Sequence, residues 1–136
     1  MLRHLAPLFL LFIPSISRAQ TADLDELARH LEGDVHARLN GRMELLLDLR
    51  ADGQRTQQYV ISLRGLDPLA IDTTPDGRML KLACSTAYPR CMSRELFHQN
   101  TRWRSSGMVL PLAPGAGTSA MHLIRTLLPD ETAQCR

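Results

Sequence analysis

Three cysteines, Cys84, Cys91 and Cys135, carry the most reactive side chains of this sequence, and their spacing decides what they can do. Between Cys84 and Cys91 lie Ser85, Thr86, Ala87, Tyr88, Pro89 and Arg90, a run with turn chemistry. A disulfide across a strand-to-strand loop is the expected product in an oxidising compartment. Cys135 is then free or intermolecular, with pairing to Cys84 or Cys91 as the alternative. The spacing is not that of a C-x-x-C exchange pair. Cys84, Cys91 and His98 recur at equal seven-residue intervals. Compact zinc pairs are usually two to four residues apart and no fourth ligand is evident, so the sequence implies no metal and no cofactor.

Other catalytic patterns are missing for similar reasons. Ser62 sits in a strand pattern and Ser105 and Ser106 precede Gly107 in a loop, so no serine occupies a nucleophile turn. His30 and His36 are not spaced as in H-E-x-x-H. Asp72 and Asp76 bracket a turn without the alternating oxygen ligands of a calcium loop.

Binding character is concentrated in Arg102, Trp103 and Arg104. The single tryptophan stands between two arginines, residue types enriched at the centres of protein interfaces. In a strand, Arg102 and Arg104 share one face and Trp103 takes the other. The competing reading puts Trp103 in the core and the arginines on a solvated rim. Aromatic residues make up only 4% of the chain and are scattered, which excludes a stacking platform for sugars or bases.

These groups must be delivered somewhere and held by something. Arg3 and His4 precede an apolar run from Leu5 to Ile16, too short for a bilayer span of about 20 residues. Ser17, Arg18 and Ala19 then supply small residues three and one before Gln20. Residues 1–19 therefore read as a signal peptide cut before Gln20, with residues 20–136 as a single domain in the periplasm or secreted. Losing Arg3 and Arg18 removes the net charge of +2 and leaves as many basic as acidic side chains, 14 of each. Such a domain has no electrostatic footprint for nucleic acid, and no stable membrane insertion is expected after cleavage.

Leu24, Leu27, Ala28, Leu31 and Val35 recur at helical spacing, with Thr21 as a cap. Gly33 could stop that helix. However, a two-residue turn at Asn40 and Gly41 would pair Leu39 with Arg42 and Ala37 with Glu44, setting apolar against charged side chains. The helix is accordingly expected to run to about Leu39, with Asn40 and Gly41 as its C-terminal cap. Period-two alternation follows in Met43, Leu45, Leu47 and Leu49, and, across a turn at Asp52 and Gly53, in Tyr59, Ile61 and Leu63. A short strand is expected at Leu69 to Ile71, inward residues at Leu80, Leu82 and Cys84, and a strand from Met92 to His98 with its mate near Met108 to Leu112. Ala120, Leu123, Ile124, Leu127 and Leu128 return to helical spacing before Pro129.

The class is α+β: an N-terminal helix, an antiparallel sheet or partly open barrel of about five to seven strands, and a C-terminal helix. This order of elements, with its Cys84 to Cys91 loop and a closing helix ending at Cys135, resembles small exported bacterial proteins with a pleckstrin-homology-like barrel. A cystatin-like helix-on-sheet arrangement is the alternative. The resemblance rests on element order and transfers no functional residue, and neither fold names an activity. The expected function is an exported, non-catalytic protein-binding module, such as an inhibitor, immunity-like factor or envelope accessory, whose partner is another envelope or secreted protein. It would expose an apolar or arginine-rimmed patch. A small-ligand or lipid-binding barrel would instead enclose an apolar cavity, and an enzyme assembled only in three dimensions would show a concave pocket with perturbed titratable groups.

Overall fold

The computed structural model describes residues 18–129. Helix α1 (Arg18–His30) leads into β1 (Asp34–Leu39), β2 (Glu44–Ala51) and β3 (Gln54–Ser62). Two 3-10 turns, Leu63–Gly65 and Pro68–Ala70, precede β4 (Asp72–Thr73) and β5 (Met79–Ala83). Then come β6 (Met92–Leu96), β7 (Thr101–Ser105), β8 (Gly107–Pro111) and helix α2 (Gly117–Leu127). The class is α+β, as expected, but the strands do not close. A five-stranded antiparallel sheet runs β1-β2-β3-β6-β7 and a separate three-stranded sheet runs β4-β5-β8.

The alternation in the sequence becomes the two faces of the larger sheet. Leu45, Leu47, Tyr59, Ile61 and Met92 are buried on its inner face. Leu24 and Leu27 of the first helix, Leu31 just after it, and Ala120, Leu123, Ile124 and Leu127 of the last helix join the same core, with Leu80, Leu82 and Leu110 from the smaller sheet. Both helices thus bury one apolar stripe each, and they touch one another across the core. Among the described residues, no helix is long and apolar enough to cross a membrane.

Four sequence expectations are corrected. First, α1 does not run to Leu39. It ends at His30, Gly33 takes a left-handed φ of +93° that a side chain would strain, and Asp34–Leu39 is the edge strand β1. The expected register conflict assumed a two-residue turn, whereas five residues, Asn40 to Glu44, lie between the paired positions. Leu39 therefore opposes Leu45 rather than Arg42, and Ala37 opposes Leu47. That slip of three residues, an odd number, puts apolar side chains opposite apolar ones. Asn40 organises the turn: its Oδ1 accepts from the amides of Arg42 and Glu44, both at 3.0 Å, and Met43 sits at φ +59°.

Second, Thr21 is not an N-cap, because the helix already begins at Arg18. Third, β6 pairs with β7, not with Met108 to Leu112. The amide of Asn100 donates to the carbonyl of Phe97 at 3.3 Å, with Asn100 at φ +49°, so the chain folds back at once; β8 pairs with β5 in the other sheet. Fourth, Pro68–Ala70 is a 3-10 turn rather than a strand, because the Asp67 carboxylate accepts from the Leu69 amide at 3.0 Å and holds the turn. Pairing resumes only at Asp72–Thr73.

Candidate functional site

The outer face of the five-stranded sheet carries the charged groups. By register, one row across it is His36, Asp48, Gln58, Glu95 and Arg102, and the next is Arg38, Leu46, Val60, Ser93 and Arg104. Each end of this face gathers arginines, but in different states.

At the β1 end the arginines close on one carboxylate. Asp48 is buried, and it accepts from Nε2 of Gln58 at 2.7 Å and from Nη2 of Arg38 at 3.2 Å. Nη1 of Arg55 lies 3.7 Å away, and the same guanidinium stacks on Phe97 with its Cζ 4.4 Å from the ring centroid. A β-bulge beside Arg50 brings Arg55 onto the outer face with Asp48. Arg50 is exposed and lines the adjoining groove with Arg38, Arg55 and His36.

At the β7 end the arginines have no such partner. Arg102 and Arg104 project from the last strand of the sheet, and Arg90 arrives from a loop fixed elsewhere. The three guanidiniums line one open groove of about 450 Å³ together with Tyr88, Pro89, Ser93, Val60 and Glu44. All three are exposed. Among the described residues none of them makes a side-chain hydrogen bond, an ion pair or a ring contact. Glu95 is the cross-strand neighbour of Arg102, yet no ion pair closes between them. Glu44 turns its Oε1 to Nδ2 of Asn40, 2.8 Å away.

What places Arg90 is the disulfide. Cys84 and Cys91 are joined, with Cα atoms 5.7 Å apart, so the segment between them is a closed loop. The loop is seated on the first 3-10 turn: the Ser85 amide donates to the Gly65 carbonyl at 2.7 Å and the Ser62 amide to the Cys91 carbonyl at 2.9 Å. Gly65 is required there by contact, since a Cβ on it would lie 2.5 Å from Cβ of Cys91. Cys135 lies outside the described residues, as do residues 1–17 of the expected signal peptide.

Trp103 takes the face opposite Arg102 and Arg104, as the alternation predicts, and is not part of the core. It is on the inner side of β7 but stays 39% exposed, beyond the edge of the core. Its ring faces Arg94, whose Cζ is 5.4 Å from the Trp103 centroid and 5.4 Å from that of Tyr59. Arg94 is fixed by two hydrogen bonds to Oε1 of Gln57, at 3.1 and 2.7 Å. Trp103 is therefore a half-covered ring at the sheet edge, next to a shallow groove with Pro89, Arg90, Arg104, Ser105 and Ser106.

The structure thus brings Arg102, Trp103 and Arg104 together with two residues that sequence reasoning missed, Arg90 and Tyr88. The one signal that could have found them is the disulfide itself, because a closed loop next to a strand must present its tip at a fixed place. Among the described residues no three His, Cys, Asp or Glu side chains converge as metal ligands, and the sulfurs of Cys84 and Cys91 are bound to each other.

The chain was compared with protein-family models, curated proteins and solved structures, and it matches none of them. Function is therefore read from its own geometry.

Proposed function

We propose that the chain is an exported, non-catalytic protein-binding module whose β7 edge receives an extended segment of another envelope or secreted protein. One observation carries the reading: among the described residues β7 pairs with β6 alone, four of its five residues are exposed, and the arginines beside it close no ion pair. An edge strand offers a row of unpaired amides and carbonyls to an added strand, and the flanking side chains then supply specificity. The opposite edge strand, β1, is packed against α1 and its Arg38 is engaged with Asp48, which leaves β7 as the receptive edge of the five-stranded sheet. Export is supported by the leader-like residues 1–19 and by a disulfide of the kind that persists outside the reducing cytoplasm.

The test is site-specific crosslinking in cells that export the full chain. A photoreactive residue at Thr101 should give a discrete adduct with one partner, while the same residue at His36 on the outer face near the other edge gives none. Adducts at both positions or at neither overturn the edge assignment. The exported product should begin at Gln20; an intact Met1 on it overturns the leader reading.

A further inference from the structure

We infer that the segment received by β7 is acidic, with carboxylates at alternate positions and an apolar residue between them. This rests on the edge-binding reading and names the chemistry that such an edge selects. Arg102 and Arg104 share the outer face, two residues apart, so their stems stand about 6.6 to 6.8 Å apart along the strand. A strand added at about 4.8 Å presents its own side chains with the same period, so its positions i and i+2 face the two guanidiniums directly. Opposite charges across such a pair are favourable and like charges unfavourable. The residue between them turns to the inner side, where Trp103, Pro89 and Ser106 form the shallow groove.

The other end of the same face shows the arrangement completed. There Asp48 sits between Arg38 and Arg55, at 3.2 and 3.7 Å. An incoming carboxylate would do at β7 what Asp48 does between β1 and β3. Arg90 is the third cation, and it borders the grooves on both sides of Arg104. The three guanidiniums face two carboxylates, Glu95 and an Asn40-engaged Glu44, so positive charge is in excess.

A second copy of this chain is a poor occupant. In any antiparallel β7-to-β7 register that keeps the outer faces together, the residues opposite Arg102 and Arg104 include an arginine of the other copy. Edge arginines that only block aggregation would explain Arg102 and Arg104. They would not explain a disulfide-held Arg90 converging on the same groove.

The test titrates the full exported chain, disulfide intact, with short capped peptides centred on Glu-Val-Glu, following backbone amide signals by NMR. Binding should shift Thr101–Ser105 and leave Asp34–Leu39 unmoved. A Gln-Val-Gln peptide should bind at least about fivefold more weakly, and raised salt should weaken only the acidic peptide. The Arg102→Gln/Arg104→Gln double variant should lose that discrimination, and Arg102→Glu/Arg104→Glu should prefer Lys-Val-Lys. Equal binding of the glutamine peptide overturns the inference while leaving the edge reading intact. An acidic peptide whose central amide is N-methylated separates the two: undiminished binding at unchanged salt dependence overturns strand addition and leaves an acid receptor. Equal binding of a Glu-Glu-Val isomer or of an oligo-uronate shows bulk electrostatics and overturns the inference, as does no binding by Glu-Val-Glu.

Discussion

The two ends of one sheet face carry the same side chain in opposite states. Arg38 and Arg55 close on Asp48, whereas Arg90, Arg102 and Arg104 face solvent and, among the described residues, close no ion pair. The difference lies in what the neighbouring strand supplies. Between β1 and β3 stands β2, whose Asp48 is buried and hydrogen-bonded; among the described residues no strand lies beyond β7. An arginine's role is thus set by whether the fold itself completes its pairing. Where the fold completes it the group holds strands together, and where it does not, the pairing is left for something outside the chain.

The largest effect expected from breaking this contrast is on the unpaired end, because its third arginine is held covalently. Replacing both Cys84 and Cys91 by serine opens a short loop and should cost about 2 to 3 kcal/mol of unfolding free energy. Chemical denaturation of the oxidised and substituted chains measures it. Amides of β1 and β2 around Asp48 should keep their NMR positions while those of Ser62 to Gly65 move. Should the Asp48 end move as well, the two clusters are not independent.

Next is Asp48→Ala, which turns the paired cluster into an unpaired one. Its carboxylate is only 10% exposed while Arg38 and Arg55 are about half exposed, so solvent screens part of the interaction. A loss of about 2 kcal/mol is expected from the hydrogen bonds given up by Gln58 and Arg38. A change under about 0.5 kcal/mol would show that the cluster is surface decoration. A smaller effect, about 1 kcal/mol or somewhat more, is expected for Gly65→Ala, since a Cβ 2.5 Å from that of Cys91 forces the loop to shift. Arg90 should then leave its place, and binding to acidic peptides should fall with the disulfide still formed.

The contrast was half legible in the sequence. Period two in Leu45 to Leu49 and Tyr59 to Ile61 assigned inner faces correctly, because a half-buried strand must alternate whatever its neighbours are, whereas Met43 and Leu63 fall just outside the strands, in turns. Arg102 and Arg104 against Trp103 came from the same rule. Strand partners did not, because they depend on turn length. Three extra residues after Gly41 rescued the β1-β2 hairpin that a two-residue turn would have frustrated, and the fold-back at Phe97 to Asn100 gave β6 a local mate instead of a distant one. Neither Asp48 nor Arg90 was visible as a site residue. Their roles come from register and from loop closure, which bring together positions 10 or more residues apart.

Smaller still is the effect of Arg102→Gln/Arg104→Gln on stability. With no partner to lose, the change should stay within about 0.5 kcal/mol, and relief of like-charge repulsion makes a slight gain the expected sign. The measurement is a denaturant melt beside Asp48→Ala. A loss approaching that of Asp48→Ala would mean that Arg102 or Arg104 is paired in solution, and the contrast would vanish.

The smallest effect serves as a control on mechanism, because Asp76 is a carboxylate held by hydrogen bonds rather than by a pair of arginines. Thr74 Oγ1 donates to its Oδ1 at 2.6 Å and the Arg78 amide donates at 3.1 Å, and these hold its carboxyl below the usual carboxylate range. The hydroxyl of Thr74 is the leading cause, and the charge of Arg78 ranks below both hydrogen bonds and a small opposing effect of burial. A folded value below the unfolded one means that the contribution is fully present above the ordinary carboxylate range and fades as pH falls through the folded value. Being fully exposed, Asp76 should affect stability little, so the readout is its own titration by NMR. Thr74→Val should move that titration upward toward the ordinary value, whereas raised salt should leave most of the shift in place, because a short hydrogen bond is not screened as separated charges are. Peptide binding at β7 should respond the other way, weakening with salt and ignoring Thr74→Val. If salt alone restored the ordinary titration of Asp76, its shift would be long-range electrostatics, and salt could no longer separate locally satisfied charges from those left for a partner.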